Sequence, residues 1–510
     1  MPTLRLILGD QLHRGHSWFG NVSAAVSYVF VEARSETDYV RHHVQKVVGF
    51  FAAMRAFAAE LREAGHKVLY VKINDPDNKG SIAANLEHLI SLHGFDHLEY
   101  QLPDEWRLDQ ELLQLKNRLK IPVASVDTEH FLSSRNELAH FFTGKKTYLM
   151  ESYYRHMRKK YGWMMVNGEP EGGKWNFDSE NRHPWHPDFK PKTPLLFSRD
   201  VSDIHMEITA GGILTIGRID PKHFIWPVNR EESLELLHHF LRVHLPEFGT
   251  YQDVMDTRSG FLNHSRLSFA INTKMLHPAE VVEATLSYWR EHPEQVSISQ
   301  VEGFIRQIVG WREYMRGVYW AHMPEYAKLN YFRHDQALPD WFWTGNTRMN
   351  CLKHTIHNSL DNAYAHHIQR LMVTGNFALL AGIHPNEVDQ WYLGIYMDAI
   401  EWVEITNTRG MSQYADGGIV GTKPYVSSAN YIDKMSNYCK DCFYSKSKKT
   451  GDKACPFNSF YWHFYERNRT LLEKNPRIGF VYPTFDKMSA ANRNELLNQA
   501  EHYISRLNEL

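Results

Sequence analysis

Cysteine occurs only four times in 510 residues, and those four positions constrain this chain more than any other feature. Cys439, Cys442 and Cys455 fall close together as C-x2-C-x12-C, the last followed by Pro456, while Cys351 stands far upstream. Thiolates at such a spacing can converge on one metal or cluster, which takes four soft ligands. Ligation by all four would clasp residues 352 to 438 into a closed loop, and the active core is expected between the clasps. The competing account makes Cys351 a buried apolar residue, with the other three incidental or holding zinc beside a histidine such as His463. Spacing alone does not separate zinc from an iron-sulfur centre.

Between the clasps the chain reads helical. Cys351, Ile356, Leu360, Tyr364, Ile368, Leu371 and Met372 recur mostly at intervals of three to five, which predicts one long helix ending near Thr374-Gly375-Asn376. His366 and His367 then lie inside that helix, about 100° apart around its axis. A second helix is expected after Pro385, carrying Trp391, Tyr392, Tyr396, Asp398, Trp402 and Glu404, and breaking into the Gly-rich stretch NTRGMSQYADGG at 407 to 418. Asp398 and Glu404 stand out because carboxylates are seldom buried unless paired or bound.

The rest of the chain divides by pattern. In residues 1 to 130, short apolar segments at Leu4–Leu8, Tyr28–Val31, Lys67–Val71, His97–Tyr100 and Val123–Val126 alternate with amphipathic helices from Val44 to Leu61 and from Ile82 to Ile90. That alternation predicts an α/β fold with a doubly wound parallel sheet, and a crevice beyond its strand ends near Gly9, Asp10, Gln11, Glu32 and Glu36. The glycine pattern of a dinucleotide fingerprint is missing there. Residues 131 to 200 read as a polar connector; its GxxxxGK match ending at Lys174 continues into Trp175, so it lacks the hydroxyl that a nucleotide-hydrolysing loop needs. From 201 to 510 the pattern is helical, with helices expected over Leu234–Leu245 and Val301–Met315, and with Ser265, Arg266 and Ser268 placed either to meet a phosphate or to cap a helix.

A formal charge of -2 decides nothing about nucleic acid, although lysines gather around the late cysteines. No apolar run approaches a membrane span, the N-terminal apolar run is too short for a signal segment, and so few cysteines suit a reducing cytoplasm.

GDQL at 9 to 12, SRLS at 265 to 268, GWREY at 310 to 314, YAHHIQRLMVTGNF at 364 to 377 and NTRGMSQYADGG, together with the four cysteines, resemble the iron-sulfur bacterial cryptochromes and photolyases, the prokaryotic (6-4) photolyases. The resemblance implies the cryptochrome/photolyase fold: an α/β antenna domain over 1–130, a connector over 131–200 and an all-helical FAD-binding catalytic domain over 201–510. It implies a monomer that uses photoexcited reduced FAD to repair (6-4) photoproducts in UV-damaged DNA. A blue-light photoreceptor of cryptochrome type, a cyclobutane-dimer photolyase and a non-enzymatic iron-sulfur protein are the rival readings.

By the same resemblance, Cys351, Cys439, Cys442 and Cys455 hold a [4Fe-4S] cluster, and Asp10, Gln11 and Glu36 contact a 6,7-dimethyl-8-ribityllumazine antenna. Ser265, Arg266, Ser268, Asp398, Glu404 and Asn407 bind FAD, with Glu404 near its N5. Trp391, Trp343 and Tyr392 carry electrons to the flavin. His367 is the implied proton donor, with His366 beside it and an imidazole pKa near neutrality suiting the task. Leu371 stands where animal (6-4) enzymes carry a second histidine. Tyr425, Tyr431, Met411 and Asp256 face the lesion, and Asp178 and Arg182 support the DNA site.

Overall fold

Five short strands build the first layer of the computed structural model, which describes residues 2–145 and 147–510. They are β1 (Thr3–Leu6), β2 (Val26–Val31), β3 (Lys67–Val71), β4 (His97–Gln101) and β5 (Val123–Val126). All pair in parallel, in the order β3-β2-β1-β4-β5. Side chains alternate across the sheet as the strand period requires. Leu4, Leu6, Leu8, Val29 and Val31 pack against Leu86 and Leu112 on one face, while Ile7, Tyr28 and Phe30 join Val47, Phe51 and Phe57 in the core on the other. The Leu86 and Leu112 face is covered by helices Ile82–His93 and Trp106–Arg118. The second of these was not anticipated, although Leu108, Leu112 and Leu115 mark its buried stripe.

Helix Val44–Glu63 covers the other face and fastens it to the helical part. His43 Nε2 bonds the Leu360 carbonyl at 2.9 Å, Gln45 Nε2 the Asp361 carbonyl at 2.6 Å and Lys46 Nζ the Leu393 carbonyl at 2.7 Å. One hydrophobic core therefore runs from Ile7 to Leu510.

Two expectations need correction. Residues 131–200 are not simply a polar connector: Met150–Tyr161 is a helix that buries Tyr153, Tyr154 and Met157, an apolar stripe masked by polar flanks. The long helix expected from Cys351 to Asn376 is broken. Asn350–Asn362 ends at Ala363, whose φ of 51° is left-handed, and the chain runs irregularly to His366 before helix resumes and continues to Ala381, stopped by Gly382 at φ 82°. Asn376 does not end a helix, because its side chain is buried and bonded to the Ser427 backbone on both sides.

Likewise, the helix after Pro385 stops at Ile395 and a new one starts at Glu401, and the glycine-bearing stretch from Asn407 stays helical as far as Ser412. Besides Phe240–His244, three segments among the described residues, Arg306–Arg312, Gln369–Gly375 and Thr406–Ser412, are wound as π-helix. Such wide turns recur at functional sites because they displace side chains from the regular helical register. Gly375 lets two of them touch: a β-carbon there would collide with Ser412 Oγ and lie 2.6 Å from the Arg370 carbonyl.

Candidate active site

The three π-helical segments meet around a cavity of about 330 Å³, to which they contribute Gln307, Ile308, Trp311, Arg312, Arg370, Leu371, Asn407, Thr408 and Ser412. Nine residues singled out from sequence line the same cavity: Ser265, Arg266, Ser268, His366, His367, Tyr392, Asp398, Glu404 and Asn407. They come from four separate stretches of chain, so their convergence is a product of the fold.

The charges around the cavity are arranged unequally. Arg266, at φ 57°, donates to the Leu195 and Ile225 carbonyls, lies over the Trp226 and Phe261 rings, and has no carboxylate partner; burial pulls its pKa down to about 10. Arg370 pairs with Asp398 at 3.0 Å and lies 3.8 Å above the Tyr396 ring. Glu404 is 7% exposed, and its Oε1 has no hydrogen-bond partner. Burial first, and the neighbouring Asp389 carboxylate second, push its pKa well above the ordinary carboxylate value, which favours the protonated form.

Three imidazoles form another part of the wall. His264 stacks on His366, with ring centroids 4.5 Å apart, and His367 follows in the chain. Burial lowers His264 to about 3, His366 well below its ordinary value and His367 to about 4. The near-neutral pKa expected for His367 is thus corrected: desolvation and the nearby Arg370 and Arg182 guanidinium groups keep it uncharged at pH 7.

The other residues expected to face a lesion lie outside the cavity lining. Arg182 links several of them, since its charge acts on His367, Tyr425, Tyr431 and Asp253. Asp178 pairs with Arg182 at 3.2 Å and bonds Arg306 Nη1 at 2.8 Å. Tyr431 Oη lies 3.5 Å from Asp253. Asp256 is engaged by Arg258 at 2.6 Å and Trp185 Nε1 at 2.7 Å, and Met411 is buried in the third π-helical segment.

Next to Tyr392 the aromatic rings continue. Trp391 is fully buried, edge-on to Tyr392 at 5.4 Å and to Phe342 at 5.1 Å, and donates its Nε1 to the Phe342 carbonyl. Trp343, 38% exposed, follows Phe342 in the chain.

A second cavity of about 120 Å³ opens where the chain leaves β1, β2 and β4, at the point where the strand order reverses. Asp10 and Glu36 line it together with His42, Lys46, Asp104 and Glu105. Glu36 is held by Arg107, while both ring nitrogens of His42 are buried without a partner. Gln11 does not face this cavity: its side chain bonds the Leu8 amide and the Gln101 carbonyl, which fixes the turn after β1. Ala399 lines both cavities, making the segment before Glu401 their common wall.

All four thiols rim one small hole, with Tyr438, Tyr444 and Phe457. Among the described residues no three His, Cys, Asp or Glu converge closely enough for a single metal ion. His463 lines a different cavity, with His334 and Arg467, which removes it as a partner of these cysteines. Burial raises Cys439 to about 12 and displaces Cys351 and Cys455 upward as well, with mutual repulsion adding to each. Four cysteine sulfurs around one hole form a soft donor set.

Sequence reasoning missed His264, Arg312 and Arg370. His264 immediately precedes the SRLS stretch at 265 to 268, whose serines are more conspicuous, and Arg370 gave no signal because its partner Asp398 is distant in sequence.

Comparison with known proteins agrees with this architecture. Residues 5–224 match the family model described as deoxyribodipyrimidine photo-lyase-related protein. The chain is 43% identical to the (6-4) photolyase of Agrobacterium fabrum over 99% of its own length and 100% of that protein. Its fold matches a bacterial class III photolyase from Agrobacterium tumefaciens (TM-score 0.58, 16% identity, 85% of this chain and 84% of that one). It also matches a cryptochrome from Synechocystis sp. PCC6803 (TM-score 0.54, 13% identity, 97% and 94%). Near-complete coverage at that identity, on a cryptochrome/photolyase fold, shows that the chain belongs to the photolyase family of which the Agrobacterium (6-4) photolyase is a member.

Proposed function

We propose that this protein is a DNA repair lyase that uses light to reverse (6-4) photoproducts, with FAD in the 330 Å³ cavity. The observation that carries the reading is the convergence, in one cavity, of the imidazoles at 264, 366 and 367 with Glu404, whose pKa burial raises, and with the Arg370–Asp398 pair. The unpartnered Glu404 Oε1 and the uncompensated Arg266 suit a polar, phosphate-bearing cofactor. FAD, when bound, supplies light absorption and a transferable electron.

The chain's own residues do the rest. Arg370 and Asp398 hold each other fixed, so the cavity keeps its shape when a ligand enters. Glu404 stores a proton away from water. His367 is neutral until a negative group approaches; a phosphate-bearing lesion supplies that charge and raises its pKa, turning it into an acid at the place where a proton is needed. Drawing the lesion out of the stack is required for any of this, because a base inside the duplex cannot reach a buried cavity.

Three further parts complete the proposal. A [4Fe-4S] cluster on the four cysteines is supported by their sharing one small hole. A lumazine antenna in the 120 Å³ crevice is supported by its place at the strand-order reversal and by the unpartnered His42. Trp391, Tyr392 and Trp343 supply the electron path. The test is an oligonucleotide bearing a single (6-4) lesion, given to reduced protein under blue light: restored pyrimidines are expected, and a lesion left intact in the light would sink the reading.

A further inference from the structure

Phe480 is 70% exposed and makes no ring contact with any described residue. It is nonetheless firmly presented. Ile478 and Val481 on either side are 2% exposed, and successive turns bond the Ile478 amide to Asn475 and the Val481 amide to Ile478. Asn475 Nδ2 also bonds the Thr422 carbonyl at 3.1 Å, which ties this turn to the segment carrying Tyr425.

Cations precede it in the chain. Arg477, three residues before it, acts on Tyr425, as does Arg182, and Arg182 also acts on His367. Arg477, Lys474 and Lys423 have no ion-pair partner among the described residues. A scattered exposed phenylalanine on a protein surface needs no explanation. One carried on a hydrogen-bonded turn that also bears unpaired positive charges, and tied through Thr422 to the segment of Tyr425, fits a polyanion with a stack of apolar bases. That is a nucleic-acid duplex, whose phosphates the cations meet and between whose base steps an aromatic wedge can insert.

We propose that Phe480 is the wedge that enters the duplex where the damaged dinucleotide leaves it, filling the gap and stopping the lesion from falling back. The inference rests on the repair reading above. A wedge matters only where there is a stack to hold open, so its contribution is confined to duplex DNA.

The experiment uses flavin-loaded full-length parent, Phe480→Ala and Phe480→Trp, with one (6-4) lesion in single-stranded or duplex form and 2-aminopurine beside the opposite strand's gap. Because the wedge holds the stack open, Phe480→Ala is expected to bind and repair the duplex lesion about tenfold more weakly, with a smaller 2-aminopurine signal, while matching the parent on the single strand. Phe480→Trp is expected to remain near the parent on both. Equal behaviour of Phe480→Ala on the two substrates, whether unchanged or equally weakened, overturns the wedge. A parent that repairs neither substrate fails the repair reading itself, and the wedge with it.

Discussion

His264 and His366 lie face to face, their ring planes 15° from parallel, and neither nitrogen of His366 has a hydrogen-bond partner. Burial lowers the pKa of both rings, so the pair forms a neutral stretch of cavity wall that leaves open nitrogens for a ligand. His367, next to the pair, is the imidazole whose protonation an incoming anion can change.

Replacing His367 by Asn is therefore expected to leave flavin content and lesion binding nearly unchanged while lowering repair by about 100-fold to 10,000-fold, the usual range for losing a general acid. Binding and repair yield measured on the same preparation decide it. Near-parent repair per photon would exclude His367 and turn attention to Tyr425.

Many histidines in this protein are buried and neutral, which sets its acid sensitivity. His43 and His367 are lowered to about 4, and His264 and His334 to about 3, burial being the leading cause in each. Unfolding restores their ordinary affinity for protons. Their contribution is thus fully present above pH 6.5 and is lost as pH falls toward 4, by roughly 3 kcal/mol for a fully buried imidazole. Urea midpoints are expected to drop steeply across that window; a flat profile would contradict the burial.

The thiol rim predicts a joint loss. Cys439→Ala should lower soluble yield, iron content and flavin occupancy together, because ligation closes the long loop that carries much of the cavity wall. Elemental analysis of anaerobically prepared parent should find iron; zinc without iron would count against a cluster.

Trp391 is sealed between Tyr392 and Phe342. Trp391→Phe keeps most of the packing and removes the oxidisable indole, so photoreduction should slow while chemically reduced enzyme still repairs. Photoreduction at the parent rate would exclude this path.

The α/β layer was readable because its strands are short apolar runs whose period is imposed by the sheet, and Lys67–Val71 and Val123–Val126 came out with the expected bounds. The breaks around Ala363 and Tyr396 were not readable. Apolar spacing continued through both, and the left-handed residue at Ala363 is fixed by tertiary packing rather than by local preference. The π-helical turns left no mark for the same reason. Glu404 and Asp398 were found because buried carboxylates need an explanation; Arg370 and His264 escaped because theirs lies in partners from other segments.

Glu404 offers the most direct test of the cavity's electrostatics. Asp389 is buried nearby and bonded to Arg409 Nε at 2.5 Å, its other oxygen unpartnered like Glu404 Oε1. Arg409 acts on both buried carboxyls but bonds only Asp389, which burial pushes up to about 7. Without such a bond, Glu404 is raised well above its ordinary value, and the arrangement favours the proton on Glu404. Glu401, Lys46 and Tyr392 are the other titratable groups within reach of Glu404. Asp389→Asn removes the repulsion and leaves the Arg409 charge uncompensated, and both changes favour ionised Glu404. The protonated carboxyl stretch in the infrared, assigned by its loss in Glu404→Gln, should therefore disappear at lower pH in Asp389→Asn than in the parent. A stretch that titrates identically in the two proteins would mean that burial alone keeps the proton on Glu404.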